Sequence, residues 1–311
     1  MKTRSYLLAA AALTAAFGLS FPVAAQDSHT GPPEIIKHRP NDQAVGGSAP
    51  TAGSTSKLKN PLSYHGGAVL STPTVYLIWY GNWAQSNGTD DAGGQQIVTD
   101  FFHSLGGSPY YQINTTYIGS ANAISGNVTY GGASTTGYTY GSALSDANIQ
   151  QIVGDAINGG LGPAGGDTNG IYFVLTSSDV NESSGFCTQY CGWHTHGTLS
   201  GRDIKYAFVG NAARCITACA AQSISPNGNA GVDGMVSVLA HECEEADTDA
   251  DLNAWYNRRG SENGDLCAWT FGTSYQVSNG SYANMKLGTR DFLIQRNVDI
   301  QSTGQYCTLS K

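Results

Sequence analysis

Apolar positions along the chain fall into two kinds of run, one continuous and one spaced by three and four. Thr74 to Tyr80 (TVYLIWY), Gly170 to Leu175 (GIYFVL) and Ile204 to Val209 (IKYAFV) are β-branched and aromatic stretches. Runs of that length, bounded by turn-forming residues, predict core strands. Gln95 to Leu105 instead places Ile97, Val98, Phe101, Phe102 and Leu105 at helical spacing before Gly106-Gly107. Ile149, Ile152, Val153 and Ile157 repeat that spacing, with Ser145 or Asp146 available as a cap and Gly159-Gly160 as a stop. Tyr110 to Tyr117 and Gly126 to Tyr130 read as further strands. A third helix starts near Asp233, a good N-cap, and runs through GMVSVLAHECEEADTD. Strands interleaved with helices predict an α/β fold, a mixed β-sheet flanked by helices. Short aromatic and β-branched runs from Asp265 to Lys311 read as returning strands and loops, and no repeat of solenoid period is visible.

The N-terminal residues break this pattern. Lys2 and Arg4 precede an apolar stretch from Leu7 to Val23, and Val23-Ala24-Ala25 puts small residues before Gln26. That is the grammar of a cleaved signal peptide over residues 1–25. Gly18, Ser20 and Pro22 interrupt the stretch, which argues against a membrane anchor. Residues 26–60 are rich in Gly, Pro, Ser and Thr without periodicity, and read as a disordered leader or pro-segment. Residues 61–311 form one expected domain. No later segment approaches the ~20 apolar residues that span a bilayer. A formal net charge of −8 and the lack of any basic stripe argue against nucleic acid as a partner. The expected setting is therefore extracellular or periplasmic, with an extracellular protein or substrate as partner.

Export makes disulfides the expected state of the cysteines. All seven lie in the second half of the chain, at Cys187, Cys191, Cys215, Cys219, Cys243, Cys267 and Cys307. The spacings of Cys187/Cys191 and Cys215/Cys219 suit small closed loops, and Cys267/Cys307 can tie the C-terminal segment to the body. Connectivity stays open. A four-cysteine zinc site from the first two pairs is the rival reading, made less favourable by an oxidising compartment.

The third helix carries the chemistry. At about 100° per residue, Met235, Val236, Leu239, Cys243 and Ala246 gather on one side, while His241, Glu245 and Asp249 share the other within about 80°. Cys243 thus reads as a buried small hydrophobe. The polar stripe is either a solvated acidic face or a metal site. In the second case His241 and Glu245, at i and i+4, are ligands of a divalent metal, zinc being the expected cofactor. Glu242 beside them is then the general base acting on a metal-bound water, as in H-E-x-x-H zinc hydrolases. HECEEADTD also resembles the active-site helix of thermolysin-like, zincin-type peptidases, where Ala-x-Thr-Asp follows the metal pair. That resemblance implies a downstream glutamate ligand, and Glu262 in GSENGD stands at a comparable separation. His194 or His196 in CGWHTHG and Asp249 are the other third-ligand candidates. A G-x-S-x-G elbow is absent, which leaves serine chemistry without local support. Sequons at Asn87, Asn114, Asn127, Asn181 and Asn279 would be surface glycosylation sites in a eukaryotic secretory pathway.

Several segments, in order from Ser71 to Ala254, resemble the EXORDIUM or phosphate-induced family of secreted proteins. They are TPTVYLIWYGNW, IYFVLTSSDV, GFCTQYCGWHTHG, KYAFVGN and PNGNAGVDGMVSVLA. The resemblance implies an apoplastic or cell-wall protein linked to growth, with no established enzymatic activity, and so a noncatalytic binding or signalling role as the alternative to hydrolysis. Plant members have a short apolar stretch where this chain has His241 to Glu245. Microbial members look closer, with an H-E-x-x-E-A-x-T-D helix followed by Asn-Ala-Trp-Tyr-Asp, whose last aspartate is Asn257 here.

Overall fold

A computed structural model describes residues 34–37 and 49–311. Residues 1–25, expected to be a signal peptide, lie outside the described residues. Strands β1 (Glu34–Lys37), β2 (Thr74–Tyr80), β3 (Thr129–Thr136), β4 (Gly170–Thr176), β5 (Tyr190–Leu199) and β6 (Arg202–Gly210) form one six-stranded sheet in the order β1-β5-β6-β4-β2-β3. Strands β6, β4, β2 and β3 are parallel, whereas β5 runs antiparallel to both β6 and β1. The sheet is mixed, as the interleaved pattern predicts. Every residue of β4 is buried, and β2 is buried from Val75 onward, which is why these strands read as continuous apolar runs rather than alternating ones.

Helices α1 (Ala92–Leu105) and α2 (Asp146–Asn158) bury the apolar residues their spacing predicts. The Asp91 carboxylate accepts the Gly94 N–H at 2.8 Å to cap α1, and Ser145 with Asn148 forms a capping box on α2. The β2–α1–β3 step crosses the sheet in one direction and β3–α2–β4 returns, so right-handed crossovers place the two helices on opposite faces. Side chains agree: Phe102 of α1 meets Phe173 with centroids 5.7 Å apart, while Ile78 shares a cavity with Ile152 and Ala156 of α2.

Helix α3 (Ala230–Thr248) begins before the expected Asp233. Asn229 is its cap, with Oδ1 accepting the Val232 N–H at 3.1 Å and the Thr89 hydroxyl at 2.8 Å. Asp233 serves instead inside the first turn, accepting from the Asn227 backbone and side chain at 2.9 and 2.6 Å. All residues from Gly231 to Thr248 are buried, so α3 is a central helix and its polar stripe does not face water. The β5–β6 strands and α1 pack on it. On a further side Glu244 accepts from Asn297 at 2.7 Å, and Asp247 accepts from the Tyr111 hydroxyl and, at 3.1 Å, from Asn114. The pull of those side chains explains a second correction. Tyr111 to Thr116 coils into a 3₁₀ turn rather than the expected strand, with Ser108 Oγ accepting the Tyr111 N–H at 3.1 Å. Asn114, one of the sequons, is fully buried there and offers no surface for a glycan.

Three disulfides brace the fold: Cys187–Cys215, Cys191–Cys219 and Cys267–Cys307. The first two cross between the expected small loops instead of closing them, and so exclude the four-cysteine zinc site. They pin the start of β5 to the short helical segment preceding α3. The third ties the 262–267 loop to the C-terminal hairpin of β7 (Asn297–Gln301) and β8 (Gly304–Thr308). Cys243 is free and buried, as its place on the apolar stripe predicts. Among the described residues, no helix is long and apolar enough to cross a membrane.

Candidate metal centre

Strand β5 approaches α3 closely because Gly192 has no side chain. A Cβ there would sit 2.7 Å from Val238 Cγ1 and 3.1 Å from Glu242 Oε1. Two residues along, on the same face of the strand, His194 reaches the helix. Its Nδ1 lies 3.1 Å from Glu242 Oε2 and 3.7 Å from Glu245 Oε2, and its Nε2 lies 3.6 Å from Glu262 Oε2. One turn separates His241 from Glu245 on α3, and His241 Nε2 stands 3.0 Å from Glu245 Oε1. The loop after α3 closes over that pair at Gly264, and the Asp265 backbone N–H donates to Glu245 Oε1 at 2.9 Å. Asn257 shapes the approach to this loop, its Oδ1 accepting the Arg259 and Ser261 N–H groups at 2.8 and 3.2 Å.

The structure therefore brings together all four residues expected as ligands, His194, His241, Glu245 and Glu262, with the expected base Glu242 beside His194. Ligand atoms of His194, Glu245 and Glu262 lie within 4.8 Å of one another. A second set within the same limit joins His241, Glu245 and Asp265, with Glu245 common to both. Imidazole nitrogen plus carboxylate oxygen is the donor mixture that suits zinc. Asp265 escapes sequence reasoning, since its carboxylate reaches the His241–Glu245 pair only through the course of the loop after α3, which no local spacing reports.

Burial sets the electrostatics. His194, His241, Glu242, Glu245 and Glu262 are each at most 2% exposed. These groups are thus closed off from solvent. Loss of water lowers His194 to about 3, with the His241 and His196 charges adding to the effect, and lowers His241 to about 4. Both rings are then neutral at neutral pH, each with a lone pair to offer. Burial raises Glu245 to about 8 against the opposing Asp265 and Gly264 backbone N–H groups, and raises Asp249 to about 6. His194 Nε2, His241 Nδ1 and Glu245 Oε2 are buried without a hydrogen-bond partner, a rare state for interior polar atoms.

The remaining candidates have other roles. Asp249 shares a hydrogen bond with Glu262 and belongs to neither donor set. His196 falls in a separate cluster with Asp203 and Asp251. There Lys205 Nζ lies 2.8 Å from Asp203 and 2.9 Å from Asp251, so a lysine already supplies the positive charge.

Residues 62–301 match the phosphate-induced protein 1 conserved region. The chain is 33% identical to Protein EXORDIUM-like 3 of Arabidopsis thaliana, over 83% of this chain and 84% of that protein. Protein EXORDIUM-like 5 of Arabidopsis thaliana is 30% identical, over 74% of this chain and 69% of its own length. Protein PHOSPHATE-INDUCED 1 of Nicotiana tabacum is 31% identical, over 63% and 67%. No solved structure gives a significant match.

Proposed function

Because the chain belongs to the EXORDIUM, or phosphate-induced, protein family, we propose that it is an exported, disulfide-braced member that holds a zinc ion between β5 and α3 and hydrolyses peptides with it. One observation carries the reading: donor atoms of His194, Glu245 and Glu262 converge within 4.8 Å inside the protein, with His241 against Glu245. Two neutral imidazoles among buried carboxylates satisfy one another poorly, and a divalent cation reconciles them.

The residues fit zinc by type and by burial, and a bound zinc supplies Lewis acidity to a carbonyl or a water. Glu242 lies 3.1 Å from His194 Nδ1 and orients the ring by that contact. Its carboxylate is also the base that takes a proton from the attacking water. Asp265 and Gly264 hold Glu245 in place through backbone N–H groups.

The test has two stages. Elemental analysis of the purified protein is expected to find near-stoichiometric zinc, lost in His241→Ala and in Glu245→Ala. Glu242→Gln is then expected to keep the zinc and lose peptide hydrolysis, because glutamine keeps a polar contact with His194 Nδ1 but cannot take a proton. Full activity in that variant would refute the assigned base.

The sealed state of the donors favours a second reading, in which the cation is structural and the protein acts as a noncatalytic extracellular or cell-wall binding protein. That reading expects zinc with no hydrolysis in either the parent or the variant.

A further inference from the structure

Strand β1 lies on the edge of the sheet next to the donor cluster. It pairs antiparallel with β5 so that Glu34 is opposite His194, Ile35 opposite Trp193 and Ile36 opposite Gly192. Without β1, β5 would be the edge strand of the sheet, with its outer N–H and C=O groups ready to receive an extended segment. The pairing therefore runs along the residue that carries the β5 donor and along the glycine that lets Glu242 approach. Trp269 secures the segment, its indole N–H donating to the Lys37 carbonyl at 2.9 Å. Trp269 is 3% exposed and has a left-handed backbone, φ 57°, a costly conformation for a bulky residue.

We propose that the outer edge of β5 is the docking site for an extended peptide substrate in antiparallel orientation, and that residues 34–37 occupy it as an internal strap. Main-chain pairing supplies the affinity in such β-addition. A peptide in this register runs its backbone past His194, which places a carbonyl group beside the donor cluster. An incoming peptide must displace the strap to pair with β5. The catalytic consequence rests on the hydrolase reading above, but the docking edge stands independently of it.

The experiment uses the full chain with Ile35→Pro and Ile36→Pro combined. Successive N–H groups of a strand point to opposite edges, so one of the two prolines removes a bond to β5 whichever register position donates. Two measurements follow: amide hydrogen exchange across Gly192 to Thr195, and anisotropy of a fluorescein-labelled peptide of sequence PEIIKH, with and without zinc. Exchange is expected to rise at least tenfold in the variant, and the peptide to bind it at least tenfold more tightly than it binds the parent. Trp269→Phe, which keeps the ring and loses the N–H, is expected to shift both readouts the same way by a smaller factor. Unchanged exchange, or peptide binding that is equal or absent in parent and double variant, would overturn the proposal. Peptide bound by the zinc-loaded variant yet left uncut supports the docking edge while refuting the hydrolase reading.

Discussion

Replacing Gly264 by alanine tests the candidate metal centre without removing a donor. An added Cβ would lie 2.8 Å from His241 Nδ1, 2.9 Å from Glu245 Oε1 and 2.9 Å from His241 Cε1. Ordinary contact begins near ~3.5 Å, so the loop or the donors must move by about half an ångström, more than the ~0.2 Å that ligand distances tolerate. Gly264 has φ −64° and ψ −44°, which alanine adopts without strain, so the whole effect is steric. Neither His241 nor Glu245 can swing into solvent, because both are buried. A perturbation of this kind is expected to weaken zinc binding about 10- to 100-fold, or about 1.4–2.7 kcal/mol. The metal-free chain should lose about 1–3 kcal/mol from overpacking. Competition titration against a chromophoric chelator reads the first number and thermal unfolding in chelator the second. Wild-type zinc affinity together with a lowered metal-free melting temperature would refute the reasoning, by showing that the His241–Glu245 pair can be displaced without consequence for the cation.

Three further outcomes are expected. Cys267→Ser with Cys307→Ser opens a loop of sequence separation 40; the chain-entropy estimate is about 4 kcal/mol, measured by urea unfolding, and a loss below ~1 kcal/mol would contradict it. Lys205→Met leaves Asp203 and Asp251 facing each other, at about 1–3 kcal/mol once the exposure of Asp203 is allowed for. Burial raises Asp203, but the Lys205 and His196 hydrogen bonds and charges hold it below the usual range. The stability it contributes is therefore present above the unfolded value of about 3.9 and is lost as pH falls further, so parent and variant melting curves should converge in acid. Asn229→Ala removes the α3 cap, at about 1–2 kcal/mol, and unchanged stability would show that Thr89 and water replace it.

The parts of the fold legible in the chain are those decided by local pattern. Continuous runs announced β2, β4 and β6 because strands in the middle of a parallel sheet are covered on both faces. Helices α1 and α2 announced themselves because one face of each is wet. Helix α3 obeys neither rule: it is enclosed on all sides, so its polar stripe reads like a solvated face although Glu244, Glu245 and Asp247 are buried. Periodicity reports where apolar residues point and is silent on what covers the rest. Tyr111 to Thr116 has strand-like composition but follows the demand of Asp247 for hydrogen-bond donors, a tertiary effect. At the candidate centre, His241, Glu242 and Glu245 could be picked out from helical spacing. His194 and Glu262 could only be nominated, since their convergence depends on β5 crossing α3 and on the loop after Asn257. The crossed pairing of the first four cysteines likewise depends on two segments meeting in space.

Each disulfide clamps an element that presents a donor: two hold the beginning of the His194 strand, and one anchors the loop that bears Glu262 and Asp265. The spacing between those donors is thus a property of the oxidised chain. While its thiols are unpaired, a polypeptide keeps the helical half of the centre but only loosely positions the other half. On the zinc reading proposed above, capture of a cation would follow oxidation, and loading would be confined to compartments that permit thiol pairing.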